Sequence, residues 1–259
     1  MAKASMRRLI AKSRDSVVLV ESRDFQSQGT GFLVGNCNTL LTNAHVVSRF
    51  EFDPDGKPIA QYARNLWVCA NGVYLKAEVI SDTESIRPLM LDYALLRLER
   101  EVPATPLVMG KINRVKAGDR VLCLGYPLGF REVISTDGIV SAIVSNPVQI
   151  NPVLGLERRT IVSNAIIQHG SSGGPMFDVR TSKVIGINTF RHPVADSLTG
   201  RLMQWASLLK PRKLTVLSDI IAFALHTRYV GFNHAVSIEH VRNDSSFKDL
   251  TKGAKRWHS

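Results

Sequence analysis

Cysteine is scarce in this 259-residue chain, with Cys37, Cys69 and Cys123 the three present. An odd, widely spaced set supports no disulfide framework, and without a CxxC or Cys/His spacing it supports no metal site either. Long apolar runs are missing as well. The longest candidate covers residues 220–225, far short of the roughly 20 residues a bilayer-crossing helix needs. With 18 Gly and 11 Pro, the composition excludes a collagen-like or low-complexity chain. Hydrophobic residues at 44% and charged residues at 21% describe instead a soluble, folded protein with a large core.

Acids are absent from the first 14 positions, which hold Lys3, Arg7, Arg8, Lys12 and Arg14. Residues 201–259 carry ten basic against four acidic side chains, and residues 15–200 balance to zero. The formal net charge of +11 therefore sits at the two ends. Such ends either attract a polyanion or acidic partner or simply remain solvated. Residues 1–15 and 246–259 are expected as basic tails. The first of these lacks the roughly 7 to 15 apolar residues of a secretory signal core. Its Arg, Lys and Ser leave organelle targeting open, and a cytoplasmic location is the expectation.

Helical periodicity is rare over residues 16–100. Short β-branched segments alternate there with Gly, Asn and Ser: SVVLVES, GTGFLVG, TLLTNAHVV, LWVCANG, VYLKAEVISD and YALLRLE. About six strands of this kind are enough for a small closed barrel. A Pro-bearing connection at 101–117 leads to a second series over 118–245, with DRVLCLGYP, GIVSAIVS, RTIVSNAII, PMFDVR and KVIGINTF. Two strand-rich halves imply two packed, antiparallel, six-stranded β-barrels. Residues 192–228 break the pattern. Leu214, Leu217, Ile221, Ala224 and Leu225 recur at helical spacing, with Ser218 and Asp219 as possible caps. A short helical insertion is expected there, either as surface cover or as a lid or docking element, and a C-terminal helix completes the expected architecture.

Three segments bear on chemistry. His45 ends an apolar strand in TNAHVV, and Asp92 precedes a strand in LDYALLRL. Each alone is ordinary, since a single His is more often structural and a single Asp more often a turn residue. HGSSGGPMF at 169–177 is more specific, because Gly170, Gly173 and Gly174 surround Ser172 between two apolar runs. Glycine lets the backbone take an unusual path that leaves the hydroxyl open, whereas a flexible linker would be longer and more polar. The order His, Asp, Ser at separations of 47 and 80 residues is one of the chain orders in which that triad occurs.

On these residues the chain resembles the trypsin/chymotrypsin-like serine proteases, and within them the Deg/HtrA branch. The resemblance is carried by GTGFLV (29–34), LTNAHVV (41–47), LDYALLRL (91–98), GDRVLCLGYPLG (118–129), STDGIVSAI (135–143), SNAIIQHGSSGGP (163–175) and VIGINTF (184–190). It implies His45 as general base, Asp92 as its orienting carboxylate and Ser172 as nucleophile. The amides of Gly170 and Ser172 would form the oxyanion hole. No metal or cofactor is implied. A peptide or protein is the expected substrate partner, and an activating protein is a second.

Departures from the family also bear on function. Ser171 stands where trypsin-type enzymes carry the acid that pairs with a newly cut N-terminus, so that mode of activation is not expected. Val46 replaces the cysteine that follows the histidine in secreted relatives. Residues 191–259 hold no stretch long enough for a PDZ module of the Deg/HtrA kind, and PDZ control is not expected. For the substrate pocket the resemblance points to Ile166, Ile167, Thr189, Phe190, Arg191 and Gly231. Isoleucines at the base favour a small or medium apolar residue before the cut, whereas Arg191 at the rim favours an acidic one. A second reading is a latent or inactive protein of the same fold that binds an anionic partner through its basic ends. No nucleic-acid module or aromatic stacking motif is evident, so nucleic acid is not an expected partner.

Overall fold

Residues 17–20 form an unbroken apolar run that the structure divides by parity. Val18 and Val20 point into the first of two barrels, while Val17 and Leu19 point out of it into a cluster shared with the second barrel. The same division recurs in the second half, where Val121 and Cys123 fill a barrel and Leu122 and Leu124 face the shared cluster. Side chains on a strand alternate in direction, so a strand buried on both faces loses the polar alternation of a surface strand.

A computed structural model describes residues 2–52, 58–83, 85, 87–147, 157–189, 233–242 and 244–254. The first barrel closes in the order β1-β2-β3-β8-β7-β6. Its strands are β1 (Val17–Ser22), β2 (Ser27–Leu33), β3 (Thr39–Thr42), β6 (Leu66–Ala70), β7 (Val73–Val79) and β8 (Ala94–Leu98). A separate hairpin, β4 (Ser48–Phe52) with β5 (Pro58–Tyr62), follows β3. This stretch lies outside the β-branched segments that predict the first barrel. The second barrel closes as β10-β11-β14-β13-β12-β9. It is built from β9 (Arg120–Gly125), β10 (Ile134–Pro147), β11 (Glu157–Ser163), β12 (Pro175–Asp178), β13 (Lys183–Thr189) and β14 (Asn233–Ser237). All barrel pairings are antiparallel, and closure leaves each barrel without an open edge. The expected fold class, two packed six-stranded barrels, is the observed one.

The connection between the barrels is held by both. Leu107 N–H donates to Leu33 C=O (2.8 Å), and Val184 N–H donates to Val108 C=O (2.9 Å). The expected N-terminal tail is instead a helix, α1 (Ala2–Ser13). Leu9 is buried, and Met6 and Ile10 pack beside it on the shared cluster, because the i, i+3, i+4 spacing forms one apolar stripe. The expected C-terminal tail begins within α5 (Ser245–Ala254), whose Phe247 reaches the same cluster. Three short α-helices also lie among the described residues: α2 (Ala44–Val47), α3 (Arg87–Leu91) and α4 (Glu239–Arg242). The expected insertion at 192–228 lies outside the described residues. All three cysteines are free thiols, and burial raises the Cys123 thiol well above its ordinary range. Among the described residues, no helix is long and apolar enough to cross a membrane.

Candidate active site

Asp92 stands where α3 reverses into β8. Its N–H donates to Leu89 C=O (3.2 Å), and Tyr93 N–H donates to Pro88 C=O (3.0 Å). These two bonds form the paired helix stop in which the residue after the cap turns left-handed, a place usually taken by glycine. Asp92 has φ +57 there, and Asp is one of the few other residues to visit that region as single residues. The reversal directs its carboxylate inward, where the residue is only 4% exposed.

The partner on the first barrel is His45, in the single turn of α2. Its Nδ1 lies 2.9 Å from Asp92 Oδ1 and 3.0 Å from Oδ2, and its backbone N–H donates to Oδ1 (3.1 Å). A ring nitrogen facing a carboxylate in this way carries the proton, which leaves Nε2 as the basic nitrogen. Thr189, at the end of β13, donates its hydroxyl to Asp92 Oδ2 (3.2 Å). One carboxylate is thus held from both barrels.

Ser172 lies in the loop between β11 and β12. Its carbonyl accepts from Thr30 N–H (2.7 Å), and Gly173 N–H donates to Asn188 C=O (2.9 Å). Gly29 lies between this loop and the histidine turn. A Cβ there would fall 2.6 Å from Val46 Cγ2 and 3.0 Å from the Ser172 carbonyl oxygen, so the close approach of the two barrels depends on its missing side chain.

Residues 168–171 make a tight turn, closed by Ser171 N–H donating to Gln168 C=O (2.9 Å). Gly170 has φ +90, and a Cβ on it would lie 2.3 Å from the Tyr126 carbonyl oxygen. A positive φ at the third position marks a type II turn. The His169 carbonyl accepts from Leu128 N–H (2.7 Å). The peptide that joins His169 to Gly170 is trans, so the Gly170 N–H points in the direction opposite to that carbonyl. Thr30 fastens the turn from behind, its hydroxyl donating to Gly170 C=O (2.6 Å) and accepting from Tyr126 N–H (2.9 Å). The buried Ser171 hydroxyl faces Gln168 N–H (3.4 Å).

The pocket residues are arranged differently from the sequence expectation. Ile166 and Ile167 do not form a common base. Ile167 enters the core of the second barrel, whereas Ile166 is 62% exposed and its carbonyl accepts from Thr136 (2.7 Å). Successive side chains in extended chain point to opposite sides, so the two could not share one wall. Thr189 turns its hydroxyl to Asp92. Phe190, Arg191 and Gly231 lie outside the described residues. Sequence reasoning missed Thr30 and Asn43. Asn43 could have been found by its place two residues before His45, but Thr30 carries no such signal.

A family model described as a trypsin-like peptidase domain matches residues 29–187. Serine protease HTR4 of Rattus norvegicus is 28% identical over 234 residues, covering 88% of this chain and 43% of that protein. A probable periplasmic serine endoprotease, DegP-like, of Pseudomonas fluorescens is 34% identical over 169 residues, 64% of this chain and 30% of that one. The chain thus spans under half the length of these relatives. Among solved structures, the active form of the Rv3671c protease of M. tuberculosis aligns with a TM-score of 0.62 at 22% identity, covering 93% of this chain and 84% of that one. The inactive form aligns equally well, at 20% identity, and at such identities the likeness speaks for the fold.

Proposed function

The chain belongs to the trypsin-like peptidase family, and from that premise we propose that it is a serine endopeptidase working through an acyl-enzyme. The observation that carries this reading is the hold of the Asp92 carboxylate on His45 at both Nδ1 and the backbone N–H. A serine hydroxyl is a weak nucleophile, so a base must remove its proton as the bond to carbon forms. His45 Nε2 takes the Ser172 proton while Oγ attacks the peptide carbonyl. Asp92 keeps the ring in the required tautomer and stabilises the imidazolium, a contribution worth about 10⁴ in rate in a comparable triad.

The oxyanion faces the N–H groups of Gly170 and Ser172. Each preorganised donor of this kind contributes about 3 to 4 kcal/mol. Collapse of the intermediate expels the amine, which takes its proton from His45. Water then attacks the ester with the same imidazole as base, and Ser172 recovers its proton. An apolar residue before the cut is the preferred substrate. Ile166 supports this, being exposed and without charge to pair with Lys or Arg.

The test is covalent labelling of the folded protein with a fluorophosphonate, followed by mass spectrometry to find the adduct. Modification of Ser172, lost in Ser172→Ala and strongly slowed in His45→Ala, is the expected result. Equal labelling of Ser172→Ala, or an adduct on another residue, would overturn the proposal.

A further inference from the structure

The apolar stripe of α1 is turned inward, and this leaves a basic face beside a groove. Arg8 and Lys12, one helical turn apart and both exposed, line a groove of about 510 Å³ between α1, the inter-barrel connection and β12. Leu9, Leu107 and Phe177 contribute to its lining, and Val108, 61% exposed, is its most accessible apolar residue. Its described lining contains neither Asp nor Glu, and none of His45, Asp92 and Ser172 belongs to it. A concavity of this size accommodates a few side chains. Its two cations would meet acids at the rim while the apolar surface below takes an aliphatic group.

From this complementarity we infer that the groove docks a peptide segment of a partner protein, one in which Asp or Glu side chains flank one or two aliphatic residues. A membrane is a poorer match. An interfacial helix inserts its apolar face, and Met6, Leu9 and Ile10 are already packed against the core. Nucleic acid is a poorer match as well, because single strands are held by exposed aromatic rings, and the one ring in the lining, Phe177, is 1% exposed. The inference is independent of the proposed proteolysis, since the groove and the cleft share no residue of the triad.

Fluorescence anisotropy on the full chain tests it, in the Ser172→Ala background so that the probe is not cleaved. The probe is a short fluorescein-labelled peptide of Glu and Leu. Saturable binding is expected, weakening with salt as exposed charge contacts do. The double variant Arg8→Glu/Lys12→Glu should weaken it by about tenfold or more, equivalent to about 1.4 kcal/mol. Val108→Asp should do the same by charging the apolar wall, whereas Arg7→Glu, which changes net charge on the same helix outside the groove, should leave it within about twofold. Absence of saturable binding overturns the inference. So does equal weakening by Arg7→Glu and Arg8→Glu, which would mean diffuse charge attraction. Tighter binding to vesicles of phosphatidylserine and phosphatidylcholine, or to a single-stranded oligonucleotide, also overturns it in favour of that ligand.

Discussion

Asn43 Nδ2 donates a 2.8 Å hydrogen bond to the main-chain carbonyl of Asp92, and this joins the two turns that carry the proposed base and its carboxylate. Asn43 sits two residues before His45 at the start of α2. Asp92 holds the left-handed conformation at the end of α3. The bond therefore fixes the backbone of one turn against the other, independently of the contact between the side chains.

Asn43→Ala should lower kcat by roughly 10- to 100-fold with little change in KM, since a small misplacement of a catalytic group is costly while substrate contacts are untouched. The stability cost should be at the low end of about 1 to 3 kcal/mol for orphaning a buried carbonyl. Asn43 Oδ1 is itself buried without a partner among the described residues, and removing it offsets part of the loss. Steady-state kinetics with a thermal melt of the same protein checks both. A rise in KM at unchanged kcat would show that Asn43 acts elsewhere.

Thr30 is the corresponding support for the proposed oxyanion turn. Its hydroxyl joins Tyr126 N–H to Gly170 C=O, and all three residues are buried or nearly so. Thr30→Val keeps the shape and removes the hydroxyl, leaving both groups unsatisfied. A fall in kcat/KM of about 100-fold is expected if Gly170 N–H moves out of position, with the pH profile unchanged and Thr30→Ser restoring most of the rate. Fluorophosphonate labelling rates of the three proteins provide the readout.

How far the sequence reveals the structure depends on where each signal resides. The two barrels are legible because strands such as those at 17–22 and 120–125 are short, β-branched and bounded by turn residues. His45 and Asp92 come together as their motifs imply. The helix α1 is hidden by its charge, since four cations suggest a solvated end while three residues, Met6, Leu9 and Ile10, set its packing. The sequence alone does not separate Ile166 from Ile167, since only the fold decides that one enters the core of the second barrel and the other faces outward. Thr30 was invisible because its partners, Tyr126 and Gly170, are 96 and 140 residues distant, and no local pattern records a contact of that range.

The C-terminal helix is anchored to the residue beside Asp92. Tyr93, fully buried, donates its hydroxyl to Asp244 Oδ2 (2.7 Å), while Asp244 Oδ1 faces Phe247 N–H (3.3 Å) in the first turn of α5. Burial, then the bond to Asp244, raises the Tyr93 phenol far above its ordinary range, so it remains a donor. Tyr93→Phe should destabilise the protein by about 1 to 3 kcal/mol, because a buried carboxylate oxygen loses its partner. That corresponds to a drop in Tm of roughly 2 to 12 °C for a chain of this size. Increased proteolytic nicking near residues 244–254 should accompany it, and an unchanged melt would mean that α5 is held by Phe247 alone.

Acid sensitivity should have a contribution from His240 in α4. Arg159 N–H donates to its Nε2 (2.9 Å), which requires the neutral ring. Burial first, then the positive charge of Arg87 with Arg158 and Arg159, lowers its pKa to about 4. Glu239, the nearby acid, is paired with Arg159 (3.0 Å). In the unfolded chain a histidine titrates near about 6.5, so between that pH and about 4 the unfolded state binds a proton that the folded state refuses. Stability must then rise with pH across this window. The contribution is fully present above about pH 6.5 and is lost progressively as pH falls to about 4. His240→Gln keeps an acceptor for Arg159 and removes the titration. Urea midpoints at pH 7 and pH 5 should differ less for this variant than for the wild type, by an amount on the order of 1 kcal/mol in stability. Equal shifts in the two proteins would assign the acid sensitivity to the carboxylates instead.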